Sequence, residues 1–154
     1  MGKLKKLIIL HLLFLLLIVE FDILFAEGKS GRITIVVKGF RSNFGQARLL
    51  IFSNKEKKYF PSEHTKAFKR YIVPIKDRKV VFTFEDLPYG EYSISVHHDE
   101  DNNNKINNNW LGLPVEGLGV SNNAKGNFEP PSFDKAKVIL DKEELILEIS
   151  MVYG

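Results

Sequence analysis

The sequence predicts an all-β protein, a seven-stranded antiparallel β-sandwich with one long ordered loop and one short helix. After residue 26, short segments alternate apolar with polar residues or run through β-branched residues, which is typical of strands. No segment there keeps a helical apolar period beyond about two turns, so the crossover helices of a parallel sheet are missing. With 154 residues, 44% of them hydrophobic, the chain has enough apolar material for one core.

Seven segments carry the strand pattern. They are residues 32–38, 46–53, 69–75, 79–84, 91–98, 137–140 and 145–152. Pro74 in the third lacks an amide donor, which predicts an edge strand or a strand end. In the fifth, the alternation places Tyr92, Ile94 and Val96 inward. We expect the last two strands to pair through a turn at 141–143, and a short helix capped by Ser62 within 61–70.

The N-terminus has the pattern of an export signal. Three lysines within residues 3–6 precede an apolar run over 7–19, which is shorter than the roughly 20 residues of a spanning helix. Cleavage after Ala26 would give a signal peptide at 1–26 and a β-sandwich domain at 27–154, placed in the periplasm or secreted, with no transmembrane span. An uncleaved anchor is the alternative, because residues 21–25 partly resume the apolar run.

Composition excludes several classes of protein. The absence of cysteine excludes disulfides, a cysteine nucleophile and a zinc finger. The formal net charge of +3 is too small to indicate a nucleic-acid partner. Basic residues outnumber acidic ones over 55–79, which indicates either an ordinary solvated face or a patch for an anionic polymer or lipid.

The segment 99–134 lacks a strand or helix pattern and begins like a calcium loop. Oxygen-bearing side chains at alternate positions can turn inward around one hard cation. The predicted ligands are Asp99, Asp101, Asn103, the Lys105 backbone carbonyl, Asn107 and Glu116, the last by folding back. Asn104 stands where the pattern has glycine, and Trp110 stands where it has a bidentate Glu. A solvated Asn-rich turn without metal is the alternative.

Two histidines and one tryptophan adjoin this loop. Successive strand residues face opposite ways, so we expect one of His97 and His98 to be packed and the other exposed. A metal-assisted hydrolase would use one of them with Asp99 or Glu116, but the motifs of known nucleophiles are missing, which favours a protein that is not an enzyme. We expect Trp110 to plug the open end of the sandwich, the alternative being a platform that stacks on carbohydrate.

Several short motifs occur in a fixed order between residues 84 and 134. They read FEDLPYGEY at 84–92, HDED at 98–101, WLGLPVE at 110–116, GVSNNA at 119–124 and PPSFD at 130–134. In this order they resemble an exported bacterial family catalogued as domain of unknown function 2141, and the flanking strands fit its length. The resemblance implies a secreted or envelope-associated sandwich of prealbumin-like or immunoglobulin-like type with no established activity.

The resemblance also bears on the metal. It implies that the 99–107 loop is a recurring family feature, which favours calcium. The family pattern has Gly and Asp where this chain has Asn104 and Asn107, which implies weaker metal binding here or its loss. The leading hypothesis is a non-enzymatic envelope module with a Ca²⁺-ordered loop; the alternatives are the hydrolase and a carrier of glycan or anionic polymer.

Overall fold

The structure, a computed structural model, describes His11 and residues 28–126 and 129–154. The predicted signal segment 1–26 therefore lies outside the described residues, except for His11. Within the described part of the chain, no helix has both the length and the apolar character that a membrane crossing needs.

Eight strands make up the described fold, which confirms the all-β prediction. They are β1 Ser30–Lys38, β2 Gln46–Ser53, β3 Lys69–Val73, β4 Lys79–Pro88, β5 Gly90–Asp99, β6 Gly117–Val120, β7 Val138–Leu140 and β8 Glu144–Ser150. One helical turn, α1, spans Phe133–Ala136, and three 3₁₀ turns are the other helical elements within residues 28–126 and 129–154. All seven predicted strands are present. The eighth strand, β6, lies in the segment that was predicted to be a loop. Its four residues include two glycines and show no alternation of apolar and polar residues, so the sequence did not indicate a strand there.

The strands form two sheets. One has the order β4-β1-β8, and the other has the order β3-β2-β5-β6, with β7 also pairing with β5. The prediction of purely antiparallel pairing is wrong at one place, because β1 and β8 run parallel. The predicted hairpin of β7 and β8 is also wrong, since the chain crosses between the sheets after Leu140. Alternation identifies a strand but does not identify its neighbour.

The inner faces of both sheets meet in one hydrophobic core, as a sandwich requires. Its fully buried members include Ile33, Ile35 and Phe84 from the first sheet and Leu49, Ile51 and Ile94 from the second. The predicted inward alternation of β5 is confirmed. The prediction for Pro74 is confirmed too, because β3 ends at Val73 and lies at the edge of its sheet.

The outer face of the five-stranded sheet is also covered, and this decides where the site lies. Phe52 and Phe133 pack there with Phe60 in a second apolar cluster. The helix predicted over 61–70 is instead a 3₁₀ turn at His64–Lys66, which begins after Glu63 with no side-chain cap. The chain between β2 and β3 lies over the sheet in this irregular form, so both faces of β5 are buried.

Candidate functional site

The site lies where β5 ends and β6 begins. Asp99 is the last residue of β5 and is fully buried, and Glu116 directly precedes β6 and is 3% exposed. Because β5 and β6 pair antiparallel, the end of one strand lies beside the start of the other. Asp101 follows in the loop. Carboxylate oxygens of these three residues lie within 4.8 Å of one another.

The Asp99 carboxylate holds the loop by accepting hydrogen bonds from backbone amides of the loop. Its Oδ1 accepts a hydrogen bond from the Asn103 amide at 3.1 Å, and its Oδ2 accepts one from the Asn104 amide at 3.1 Å. Gln46, which lies opposite Asp99 on β2, donates from Nε2 to Oδ2 at 2.9 Å. The Arg48 guanidinium lies 3.8 Å from the same oxygen. The chain after β5 is therefore wrapped around a buried carboxylate.

The exposed part of the cluster is bonded internally. Asp101 Oδ2 accepts the side-chain amides of Asn103 and Asn107, each at 2.9 Å. The Asn103 amide also donates to Asn107 Oδ1 at 2.8 Å. The side-chain amide of Asn107 is the largest cause that lowers the pKa of Asp101, which favours the charged carboxylate. These side chains converge and do not spread into solvent.

The turn takes the backbone conformation that the calcium pattern requires. Asn104 has φ +65°, the left-handed region that glycine occupies most easily. Asparagine tolerates this region better than most residues, so the departure from glycine keeps the shape of the turn. Lys105 follows with its side chain exposed, and its amide donates to Asn103 Oδ1 at 2.7 Å. Its ammonium group therefore does not occupy the cluster.

The Glu116 carboxylate accepts hydrogen bonds from strand β5 and from two places in the loop that follows it. Its Oε2 accepts from the Asn107 amide and from His97 Nε2, both at 2.9 Å, and its Oε1 accepts from the Glu100 amide at 2.9 Å. The predicted return of Glu116 to the loop is thus present. An ionised carboxylate only accepts, so His97 Nε2 is the donor in this contact. His97 Nδ1 is buried and has no partner in the described residues.

His98 lies on the face of β5 opposite to His97, and both of its ring nitrogens have partners. Its Nε2 lies 2.8 Å from the Phe44 carbonyl, which can only accept, so Nε2 is the donor. Its Nδ1 is 2.7 Å from the Tyr153 hydroxyl. The opposite orientation of the two histidines is confirmed, but the prediction that one is exposed is wrong. Both are buried, because the segment around Pro61 and the long loop cover the outer face.

Trp110 does not plug the sandwich: it is 91% exposed. The Asn109 side-chain oxygen accepts the amides of Leu111 and Leu113 at 2.9 and 3.0 Å, and this tight turn projects the indole outward. Phe40 is buried, and its ring packs edge-on against His98 with the ring centroids 5.2 Å apart.

A cavity of about 640 Å³ is lined in part by His97, whose ring bonds Glu116. It is bounded by the outer face of the five-stranded sheet, the chain around Pro61 and the loop from Ile106 to Pro114. His97 and His64 both line it, with ring centroids 6.0 Å apart. Burial, with the nearby positive charge of Arg48 as the next cause, lowers the pKa of His64 to about 4. His64 is therefore neutral at physiological pH.

Three residues of the site were not predicted from the sequence. Gln46 and Arg48 bond or approach Asp99 from β2, and Tyr153 bonds His98 from the C-terminal end. The register of β2 against β5, which pairs Gln46 with Asp99, would have identified the first two. Burial is the largest cause that lowers the pKa of Arg48. The sequence signal for this residue was the presence of a charged side chain within a predicted strand.

The chain matches a family model described as "Uncharacterized protein conserved in bacteria (DUF2141)" over residues 35–147. The chain belongs to this family. The matched region runs from β1 into β8 and contains the whole carboxylate cluster, so the resemblance read from the motifs is confirmed. No curated protein and no solved structure matches the chain, and the likeness to prealbumin stays a prediction.

Proposed function

We propose that this DUF2141 protein is an exported, non-enzymatic binding module of the bacterial envelope whose long loop is ordered by Ca²⁺. The ligands would be Asp99, Asp101 and Glu116, with oxygens of Asn103, Asn107 and the Lys105 backbone completing the set. The observation that carries the proposal is the convergence of three carboxylates from two ends of the loop to within 4.8 Å. Oxygen donors of this kind suit a hard cation.

Charge balance supports a cation at this place. Asp99 and Glu116 are almost completely buried, so solvent screens their repulsion less than on an open surface. Arg48 is a neighbouring positive charge, and its guanidinium approaches Asp99 only to 3.8 Å, which is longer than a hydrogen bond. A divalent ion would neutralise most of the remaining negative charge. With at most three carboxylates, a Kd of roughly 10⁻⁴ M is expected, as in extracellular modules.

Thermal and urea unfolding with and without calcium tests the proposal. At 10 mM Ca²⁺, about 100 times the expected Kd, binding should stabilise the fold by about 2.7 kcal/mol relative to a chelator. Asp101→Asn should abolish most of this gain. The control variant Asp134→Asn, which makes the same change at an exposed acid outside the site, should leave the stabilisation by calcium unchanged. Equal stability of the wild type in calcium and in chelator would remove the metal from the proposal.

A carrier of glycan is the second candidate, and the exposure of Trp110 favours it. Trp110 stands at the tip of the loop with Leu111 and Leu113, which are 60% and 56% exposed. An indole on a tight turn is a suitable face for stacking on sugar rings. Titration with a soluble N-acetylglucosamine oligomer should then change the tryptophan fluorescence of this single-Trp chain, and an unchanged spectrum up to millimolar sugar would count against it.

The hydrolase alternative receives less support. Both ring nitrogens of His98 are in contact with Tyr153 and the Phe44 backbone, so His98 is not free to act with Asp99. Of these two histidines, His97 is the one with a ring nitrogen, Nδ1, that has no hydrogen-bond partner among the described residues.

A further inference from the structure

Two arginines are neighbours on the outer face of the five-stranded sheet. In the pairing of β2 with β3, Arg48 lies opposite Ile72, and Arg70 lies opposite Leu50. Leu50 belongs to the apolar cluster of the outer face, so the two arginines belong to that face as well. Diagonal neighbours of this kind are roughly 7–8 Å apart. The register therefore brings two guanidinium groups together at the edge of the sheet, where β3 is the last strand.

The Arg48 guanidinium has donors that the protein leaves unused. Its Nη1 is buried without a hydrogen-bond partner among the described residues, and the Asp99 carboxylate lies 3.8 Å away, beyond hydrogen-bond distance. A guanidinium carries five N–H donors in a fixed fork. The Arg48 side chain keeps 12% of its surface exposed, so a ligand reaches the fork from the side away from the buried Nη1.

The charges around Arg48 favour an anion. Burial is the largest cause that lowers the pKa of Arg48; the Asp99 carboxylate opposes this effect, and the like charge of Arg70 adds to it. Arginine stays charged in proteins, so the two guanidinium groups repel each other across a partly desolvated face. An anion between them would replace this repulsion by two attractions.

A pocket of about 360 Å³ lies at these two side chains. Arg48, Arg70 and Asn104 line it together with Leu50 and Ile72. Its volume lies at the lower end of the range of ligand pockets, roughly 300–1,000 Å³. The pocket is larger than a single tetrahedral oxyanion, which leaves room for the group that carries the anion. Because Asn104 belongs to the long loop, the pocket lies where the loop meets the sheet.

We propose that this pocket binds the phosphate group of a phosphate monoester between Arg48 and Arg70. The phosphate of a monoester carries up to two negative charges, which match two guanidinium groups, and its oxygens accept the paired N–H donors that arginine presents. A carboxylate offers one charge only, which favours phosphate. The site goes beyond the proposed function and does not require calcium, because the strand register alone places both arginines.

The pocket and the carboxylate cluster nevertheless share one residue. Asp99 belongs to the cluster and lies 3.8 Å from the Arg48 guanidinium. A calcium ion at Asp99 would offset this negative charge, and the attraction of Arg48 for a second anion would increase. Phosphate should therefore bind more tightly in calcium than without it.

A matched pair of probes tests the need for the phosphate group. The protein, expressed with its natural N-terminal segment and freed of calcium on a chelating resin, is titrated calorimetrically at constant ionic strength. The probes are glycerol 3-phosphate and glycerol. We expect glycerol 3-phosphate to bind with a millimolar Kd and glycerol to give no heat of binding. In ¹H–¹⁵N spectra, glycerol 3-phosphate should shift the Nε–H signals of Arg48 and Arg70 and leave that of Arg78 unchanged.

Three variants locate the site. Arg70→Gln removes one charge at an exposed position, so the fold should survive and glycerol 3-phosphate should bind about tenfold more weakly. Arg70→Lys keeps the charge without the fork and should recover part of this loss. The control Arg78→Gln makes the same charge change at an exposed position outside the pocket, and it should leave the affinity unchanged.

A vesicle experiment distinguishes two sources of the phosphate group. The protein is sedimented with vesicles of phosphatidylcholine alone and with vesicles of equal parts phosphatidylcholine and phosphatidic acid. Sedimentation that requires phosphatidic acid and is lost in Arg70→Gln supports the site with a lipid headgroup as its ligand. Glycerol 3-phosphate binding without such sedimentation supports the site with a soluble ester as its ligand.

The proposal fails if glycerol 3-phosphate does not bind, if the Arg48 signal does not shift, or if Arg78→Gln weakens binding as much as Arg70→Gln does. Repeating the titration in calcium separates the two proposals. Glycerol 3-phosphate binding together with no calcium stabilisation supports the phosphate site and removes the calcium proposal. Calcium stabilisation without glycerol 3-phosphate binding overturns the phosphate site alone.

Discussion

Replacing Glu116 by glutamine tests how the loop is held, because the change keeps shape and removes charge. The glutamine oxygen can replace Oε2 and accept from His97 and Asn107, but its NH₂ group then faces the Glu100 amide. One buried donor without a partner costs about 1–3 kcal/mol, and two charge-assisted bonds that become neutral cost about 1 kcal/mol each. Relief of repulsion between carboxylate oxygens within 4.8 Å of one another returns about 1–3 kcal/mol at an effective dielectric between that of water and about 20.

A cost of about 3–5 kcal/mol less a return of about 1–3 kcal/mol leaves a loss of about 2 kcal/mol in the free energy of unfolding in chelator, or roughly 6 °C in melting temperature. Urea unfolding followed by circular dichroism measures it. In calcium the loss should grow, because the variant also gives up the ion. The same substitution at Glu148, which pairs with Lys38 at 2.6 Å on an exposed face, is the control and should cost under about 1 kcal/mol. A Glu116→Gln cost no larger than the control would refute the account of the loop.

Three further predictions concern neighbouring residues. Arg48→Met removes the positive charge 3.8 Å from Asp99, so calcium affinity measured by calorimetry should rise about tenfold, while Arg78→Met at an exposed position should not change it. At Asn104, with φ +65°, glycine should keep or raise the melting temperature and alanine should cost about 1 kcal/mol. His64, whose pKa burial lowers to about 4, binds protons more readily unfolded, so wild-type stability should fall as the pH drops from 6.5 toward 4. His64→Gln should remove about 1–2 kcal/mol of that fall after allowance for partial exposure, and identical pH profiles would contradict the burial of this ring.

The strands were predictable because their side chains alternate, and the pairings were not. The alternation of Ile33, Ile35 and Val37 indicates a strand with one buried face. It does not indicate which strand lies beside it. β8 runs parallel to β1 because the chain crosses from one sheet to the other before β8. No local sequence pattern indicates this crossing. The four residues of β6 are a strand because β5 offers a free edge, and nothing in their own composition indicates it.

The site was predictable where it depends on spacing and was missed where it depends on register. Asp99 and Asp101 follow from the spacing and lie together in the structure; Glu116, whose return the spacing alone does not give, joins them. Gln46 and Arg48 belong to the site only because β2 pairs with β5 in one register. Trp110 was placed inside on the general tendency of aromatics to be buried, but the turn held by Asn109 overrides that tendency.

A crystal structure of the protein grown in 10 mM Ca²⁺ tests the central claim most directly. The account predicts a density peak with the anomalous signal of calcium, about 2.3–2.6 Å from oxygens of Asp99, Asp101 and Glu116. A map in which Asp99 still holds the Asn103 and Asn104 amides, and only water occupies the space among the three carboxylates, would contradict it.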